Sequence, residues 1–498
     1  VIDLLDRQLV NVNFGIRKNQ APQPVADLSE VMTHVELPVL VALSDIARDL
    51  DGDRVFFRIV DSENVTARFT PDGEFLRVTP DAGHAGVGSI TVVADDGFNT
   101  TEDIKIDVNI SDAKLTDIAF LYRDFRFELP GDTAPLVVVG QFEDQEDVVL
   151  PFDYVQVSTL DNSVAAVSSQ GVLRTKKIGD TALIARRDGI AAGTAVRIGT
   201  ASDFEGQIAQ LFGLDVYPDT VTILPESGTR TIVTAIGEAN PIYLTGQDGV
   251  LYIVEDESIV TVTDEGLIEA VGQGSTAITV IYRGAEDTLE VTVAEPIVGN
   301  SAKIGATGGA IQTEDGLTAA FGQGQLTGDD PTVTLERLSE DQLEVAAPPD
   351  FDFLAAAKMD VQGGDIEGAF QFAASVEGAE VGDEVVFFYE RDVTVETGGD
   401  FGKMWFVADT GVVGADGVAR TASPPFPGLS ARSNILVAKA NKPVLKASVA
   451  AAPLAIASMT IMTGMLIGAA TGGLAGAIVG AGLGALTAVP LFALPRFQ

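Results

Sequence analysis

Three aspartates alternate around a glycine in Asp49-Leu50-Asp51-Gly52-Asp53, and a second acidic turn follows at Asp95-Asp96-Gly97. Carboxylates at alternate positions of a tight turn supply hard oxygen ligands, which is the donor set that Ca²⁺ takes. The same residues are good turn formers, because an aspartate side chain accepts hydrogen bonds from nearby backbone and glycine tolerates positive φ. The twelfth-position glutamate of an EF-hand is absent. Two readings therefore stand side by side, a calcium site and a pair of plain turns.

Other chemistry finds little footing. Cysteine is absent, and the two histidines, His34 and His84, both fall in the first hundred residues. Neither a thiolate nucleophile, a Ser-His-Asp arrangement nor an HExxH zinc site can be assembled. Acidic pairs such as Glu143-Asp144 and Asp329-Asp330 arise freely on solvated faces of a chain with 72 acidic residues. No phosphate-binding or dinucleotide fingerprint occurs. The chain is expected to be non-enzymatic.

Asp and Glu number 72 against 31 Lys and Arg, a formal net charge of −41 over 498 residues. Such a balance repels nucleic acid, whose phosphates need Lys and Arg. It suits divalent cations, a salty medium or a crowded surface. The chain starts at Val1 rather than Met, so a removed leader and a fragment of a longer protein are both open.

The elements that would position these turns read as β-strands. Short alternating runs such as Ser89-Ile90-Thr91-Val92-Val93, Thr220-Val221-Thr222-Ile223-Leu224 and Glu290-Val291-Thr292-Val293 are separated by Gly, Asp, Asn and Pro turns. Many short strands with turn signals predict sandwiches in series rather than one large core. Gln207 to Leu214 is the one short stretch with helical character.

An internal repeat sharpens this. Ser163-Val164-Ala165-Ala166-Val167, Gly171, Gly179, Thr181-Ala182 and Gly189 lie over Ser258-Ile259-Val260-Thr261-Val262, Gly266, Gly274, Thr276-Ala277 and Gly284, a constant offset of 95 residues. A gap-free repeat of one sandwich length means two copies of one module. These residues resemble the bacterial immunoglobulin-like group 2 domain of surface adhesins and phage structural proteins, over Lys114 to Ala201 and Asp215 to Glu295. That resemblance specifies a fold and no ligand.

The first module opens with Asn19-Gln20-Ala21-Pro22 and closes on the strand Ile104 to Ile110. With its two acidic turns it looks like the cadherin-like repeats of bacterial surface proteins. The resemblance implies that Asp49, Asp51, Asp53 and Asp95 are calcium ligands. Farther along, Gly308-Gly309 followed by Glu314-Asp315-Gly316-Leu317 is similar to the β-domain shared by zonula-occludens, netrin-receptor and ankyrin proteins. Trp405, the one tryptophan, is expected in that module's core, and the Pro-rich run Ser423 to Ser430 is expected to shape its exit.

The tail is of another kind. Gly464, Gly468, Gly472, Gly476, Gly480 and Gly484 recur at a spacing of four within the uncharged stretch Ala447 to Pro495. Small residues at that spacing form a groove along a helix into which a second helix packs. The stretch exceeds the roughly 20 residues of one membrane span, and Gly472-Gly473 and Pro490 are break points for a helical hairpin. The stripe drifts about 40° per step on an ideal helix, so it must wrap a partner or touch several. Lys439, Lys442 and Lys446 precede it, which by the positive-inside tendency argues against a simple inner-membrane anchor.

The expected architecture is mainly β: an N-terminal segment (1–18), a cadherin-like sandwich (19–113), two Ig-like group 2 modules (114–205 and 206–298), a further β-sandwich (299–441) and hydrophobic glycine-zipper helices (442–498). Two functions fit it. One is an extracellular, cell-envelope structural or adhesive protein on a self-associating foot. The other is a subunit of a symmetric filament, sheath or viral spike with the helices in a shared protein core. The partners expected are the chain itself, a membrane or apolar assembly core, and other surface proteins or glycans, with no nucleic acid.

Overall fold

The structure, a computed structural model, describes residues 19–25, 31–204, 213–230, 232–235, 242–392, 402–421, 428–441 and 466–467. Described helical structure is confined to three short 3₁₀ segments, Leu43–Asp45, Ala201–Phe204 and Glu340–Gln342. The chain packs as two compact units, Val1–Thr116 with Gly140–Val155, and Asp117–Val139 with Gln156–Gln498.

In the first unit, strand Val31–His34 runs parallel to Ile104–Ser111. The latter pairs antiparallel with Gly86–Asp95, which pairs in turn with Phe56–Glu63. A second sheet, Val39–Ala42, Phe75–Pro80 and Val65–Phe69, shares its core. The pleat dictates this layering: Ile104, Ile106, Val108 and Ile110 are buried while Lys105, Asp107 and Asn109 are exposed.

In the second unit the repeat is visible strand by strand. Gln156–Thr159, Ala165–Val167, Val172–Thr175, Gly179–Arg187 and Ile190–Ile198 recur as Leu251–Val254, Val260–Val262, Leu267–Ala270, Gly274–Tyr282 and Ala285–Val293. The turn chemistry repeats as well. Ser163 N–H donates to Asp161 Oδ1 at 2.7 Å and Ser258 N–H to Asp256 Oδ1 at 2.8 Å. Thr181 and Thr276 hydroxyl oxygens accept from the N–H groups of Asp161 and Asp256 at 2.8 and 2.9 Å.

Downstream, one continuous sheet replaces the two separate sheets expected of a sandwich. It runs from Ile297–Val298 through Gly309–Gln312, Leu317–Phe321, Gln371–Ser375, Val418–Thr421, Lys403–Val413, Glu384–Asp392, Asn434–Ala440, Phe351–Gln362 and Thr332–Leu338 to Ser301–Lys303. Register shifts at Phe353/Ala355 and Phe387/Phe388 interrupt its long strands. Such bulges bend a sheet, and its inner face closes over Ile311, Phe321, Leu335, Phe372, Phe387 and Val437. A second cluster on the other face holds Phe351, Phe388, Trp405 and Leu436. Trp405 is 1% exposed and donates from Nε1 to the Val345 carbonyl at 3.1 Å, a core position.

The tail expectation needs correction where the structure describes it. Leu466–Ile467 is a strand, not helix, and pairs antiparallel with Trp405 and Phe406. Strand Lys403–Val413 is covered along one edge by Glu384–Asp392, whereas Val418–Thr421 covers only Gly411–Val413 of the other. The remaining edge offers backbone groups that a short apolar segment satisfies. Among the described residues no helix is long and apolar enough to cross a membrane. Gly464, Gly468, Gly472, Gly476, Gly480 and Gly484 lie outside the described residues, as do 1–18 and Pro424, Pro425 and Pro427. So does most of the short helical stretch, whose last residue, Leu214, begins a strand instead.

Candidate functional site: acidic turns and module junctions

The first acidic turn is organised by Asp49. Its Oδ1 accepts the N–H groups of Asp51 and Asp53 at 2.8 and 3.1 Å, while Gly52 takes a φ of 86°. Asp51 accepts from Gln20 N–H at 2.8 Å, and Asp53 is exposed. In the second turn Asp95 accepts Gly97 N–H at 2.5 Å. Its neighbour Asp96 is the anchor, 7% exposed and accepting from Phe98 N–H, Asn99 N–H and the Asn19 side-chain amide, each at 2.7 Å. The Asn99 N–H leads the effects that hold the Asp96 carboxyl below its ordinary pKa.

Asn19 and Gln20 thus staple the opening of the module to both turns. Among the described residues no three His, Asp or Glu groups gather as a metal centre. The structure joins Asp49, Asp51 and Asp53 in one turn through backbone hydrogen bonds and leaves Asp95 in the other. One atom fits a cation: Asp49 Oδ2 is buried with no hydrogen-bond partner. The motif missed Asp96, although pleat parity points to it. Ile90, Val92 and Ala94 face inward along Gly86–Asp95, and Asp96 continues that phase.

His34 also has a partner that spacing could not supply. It is 1% exposed, stacks on Phe142 with ring centroids 3.6 Å apart, and lies 2.8 Å through Nε2 from Asp144 Oδ1. Ser111 Oγ donates to the other Asp144 oxygen at 2.5 Å. Ser111 foremost, then His34, hold the Asp144 carboxyl below its ordinary range. Both side chains converge on the carboxylate, so the trio is a clamp; the nucleophile-to-base contact of a hydrolytic triad is not formed.

The second unit carries the most developed polar site. Strand Ile190–Ile198 pairs with Gly179–Arg187 throughout, but Phe125–Phe127 covers only Val196–Ile198 on its other edge. The uncovered edge is sealed by the next module. Ala191 N–H donates to the Glu255 carbonyl at 2.7 Å, and Ala195 N–H to Glu286 Oε2 at 2.5 Å. Between them the Gly193 carbonyl accepts from Arg123 Nη2 at 3.2 Å. Arg123 also donates to Glu286 Oε1 at 2.9 Å and Thr279 Oγ1 at 3.1 Å, and Thr194 Oγ1 to Glu286 Oε2 at 2.9 Å.

Apolar packing completes this junction. Ala182, Ile184, Ala191 and Ala195 form one cluster with Ile253 and Ile281. Beside it, burial lifts the carboxyls of Asp117, Glu255 and Glu290. Glu255 is pushed to about 7 by burial first, then by Asp117 and Glu290. At the next junction, Thr222 Oγ1 donates to the Phe321 carbonyl at 2.6 Å, and Gln325 Nε2 to the Thr220 carbonyl at 3.2 Å. Tyr217 there is buried, and its hydroxyl pKa is raised by that burial and by Asp409.

A comparison of the two copies was the signal available in the sequence. At the 95-residue offset Ser158 becomes Ile253, Gln156 becomes Leu251, Ala191 becomes Glu286 and Ala195 becomes Glu290. Outward positions that differ so sharply between copies are the ones that meet across the junction.

Among solved structures, an endo-fucoidan hydrolase from glycoside hydrolase family 107 aligns at 8% identity over 55% of this chain and 44% of that one, with a TM-score of 0.19. The surface layer protein SbsC, domains 1–6, aligns at 14% identity over 74% of this chain and 51% of its own, TM-score 0.16. The human desmocollin-1 ectodomain aligns at 10% identity over 70% and 78%, TM-score 0.16. The chain thus spans less than half the length of that hydrolase, and likeness at these scores carries no activity across. No curated protein matches the chain. The family match falls on the first module: residues 19–109 match the bacterial Ig domain.

Proposed function

We propose that this chain is a non-enzymatic extracellular structural or adhesive protein, with Ig-like modules set in series on a self-associating C-terminal segment. The observation that carries the reading is the sealed edge of Ile190–Ile198, where Glu286, Arg123 and the Glu255 carbonyl satisfy the backbone of a neighbouring module. Open strand edges recruit other chains. A series of modules that closes its own edges and fixes its junctions by specific hydrogen bonds suits a load-bearing spacer. His34, held between Asp144 and Phe142, is committed to packing.

Calcium belongs to the same proposal. Asp49, Asp51, Asp53 and Asp95 would supply hard oxygens to the ion, and the partnerless Asp49 Oδ2 supports that reading. When bound, the ion would neutralise part of a strongly acidic module.

A second reading, a subunit of a symmetric filament, sheath or spike, is favoured by the six glycines at a spacing of four. Sizing the full chain by native mass measurement, with and without detergent, separates the two. A polymer in plain buffer supports the assembly, and small oligomers that need detergent support the anchored protein. A monomer under both conditions overturns self-association.

A further inference from the structure

We propose that the junction between the second and third modules is a pH-operated lock, closed while the carboxyl cluster Asp117, Glu255 and Glu290 retains a proton and loosened when all three are ionised. The inference starts from geometry. Strand Leu115–Phe120 brings Asp117, the turn after Leu251–Val254 brings Glu255, and strand Ala285–Val293 brings Glu290 to one side of the sealed edge. Glu255 cannot withdraw freely, because its own carbonyl accepts the Ala191 N–H that closes the top of that edge. Asp117 Oδ1 is buried with no hydrogen-bond partner, so this carboxyl has lost water without full replacement.

The charges facing Glu255 are unbalanced. Asp117 and Glu290 repel its ionised form, Arg123 attracts it, and the Ala277 backbone donates toward it. Arg123 is already engaged by Glu286, Thr279 and the Gly193 carbonyl. One shared cation cannot neutralise three enclosed carboxylates as well as Glu286. A buried carboxyl among like charges keeps its proton instead.

Opening the junction returns the cluster to water, where Glu255 regains its ordinary value of 4.5, against about 7 when docked. A carboxyl raised in the docked state holds it most firmly below the lower value. Its contribution fades as pH rises and is gone above the higher one. The docking equilibrium should therefore weaken on the order of a hundredfold across that window. Glu290, also raised by burial and by Asp117, adds in the same direction.

The chain has no native cysteine, so spin labels can be placed on the full protein at Gln170→Cys and Glu265→Cys, exposed and equivalent turn positions of the two modules. The distance distribution should be narrow at pH 5 and broaden by pH 8, with hydrogen exchange at the Ala191 and Ala195 amides accelerating beyond its intrinsic pH dependence. Glu255→Gln should keep the narrow distribution at pH 8. Should that variant misfold, Glu290→Gln provides a second arm and should move the transition to lower pH. Identical distributions at pH 5 and 8 would overturn the lock, as would a transition that persists unchanged in Glu255→Gln or is unmoved in Glu290→Gln.

Discussion

Gly193 of the second module lies directly beneath Ile253 of the third. A Cβ built on Gly193 would overlap Ile253 Cδ1 and stand 3.2 Å from Cγ1. The glycine is therefore a point of close approach between two sheets, in the middle of the edge that Arg123 and Glu286 seal.

Gly193→Val should wedge the junction apart while leaving both cores intact, because neither core includes this position. Overpacking of that kind costs about 1–3 kcal/mol, here drawn from docking. Hydrogen exchange at Ala191 and Ala195 should rise while the circular dichroism of the chain stays unchanged. Protection equal to that of the unaltered chain would show that Ile253 simply moves aside.

Asp96→Ala should destabilise the first module far more than Asp95→Ala. Asp96 is enclosed and accepts three hydrogen bonds, and its removal strands the N–H groups of Phe98 and Asn99 and the Asn19 amide. The melting temperature of the isolated match region is not the readout; unfolding of this module within the full chain is, and it should fall by roughly 5 °C or more. The sign with pH follows from the lowered carboxyl. Its contribution is complete above the ordinary 3.8 and is lost as pH falls through the folded value. Equal effects of the two alanine variants would contradict the anchor role.

What could be read from the sequence was local. The Asp161 and Asp256 turns and the strands around them repeat because short-range chemistry and pleat alternation specify them. Junctions follow a different logic, since which outward faces meet depends on contacts far apart in the chain. Ile253 is an apolar residue in a strand like any other until Ser158, its counterpart, shows that the position need not be apolar. The acidic turns were half legible. Their turn chemistry was readable, whereas choosing Asp95 over Asp96 required knowing which residue continued the inward phase of Ile90, Val92 and Ala94. The downstream sheet was misjudged as two layers because bulges at Phe353/Ala355 and Phe387/Phe388 leave no simple signature in composition.

Calcium should raise the melting temperature of the first module, with Asp49→Asn removing most of the gain. A ligand at a hundredfold excess over its dissociation constant stabilises the folded form by about 2.7 kcal/mol. Asp49 is the informative position because its Oδ2 is buried and unpartnered while its Oδ1 holds the turn together. An unchanged melting temperature between chelator and millimolar calcium would remove the ion and leave two hydrogen-bonded turns.

Replacing Gly472 and Gly476 with Leu tests the foot. If the glycines from Gly464 to Gly484 pack helix on helix, each permits a backbone approach that a leucine side chain blocks. The double variant should then lose its oligomer while the β-modules remain folded, because their cores lie upstream and contain none of these residues. A lone anchor would respond in the opposite sense, since added apolar surface favours membrane insertion. Native mass measurement reports the oligomer, and circular dichroism controls for the modules. An oligomer of unaltered size would mean that the spacing of four reflects a small-residue composition, and that any assembly of this chain is made elsewhere.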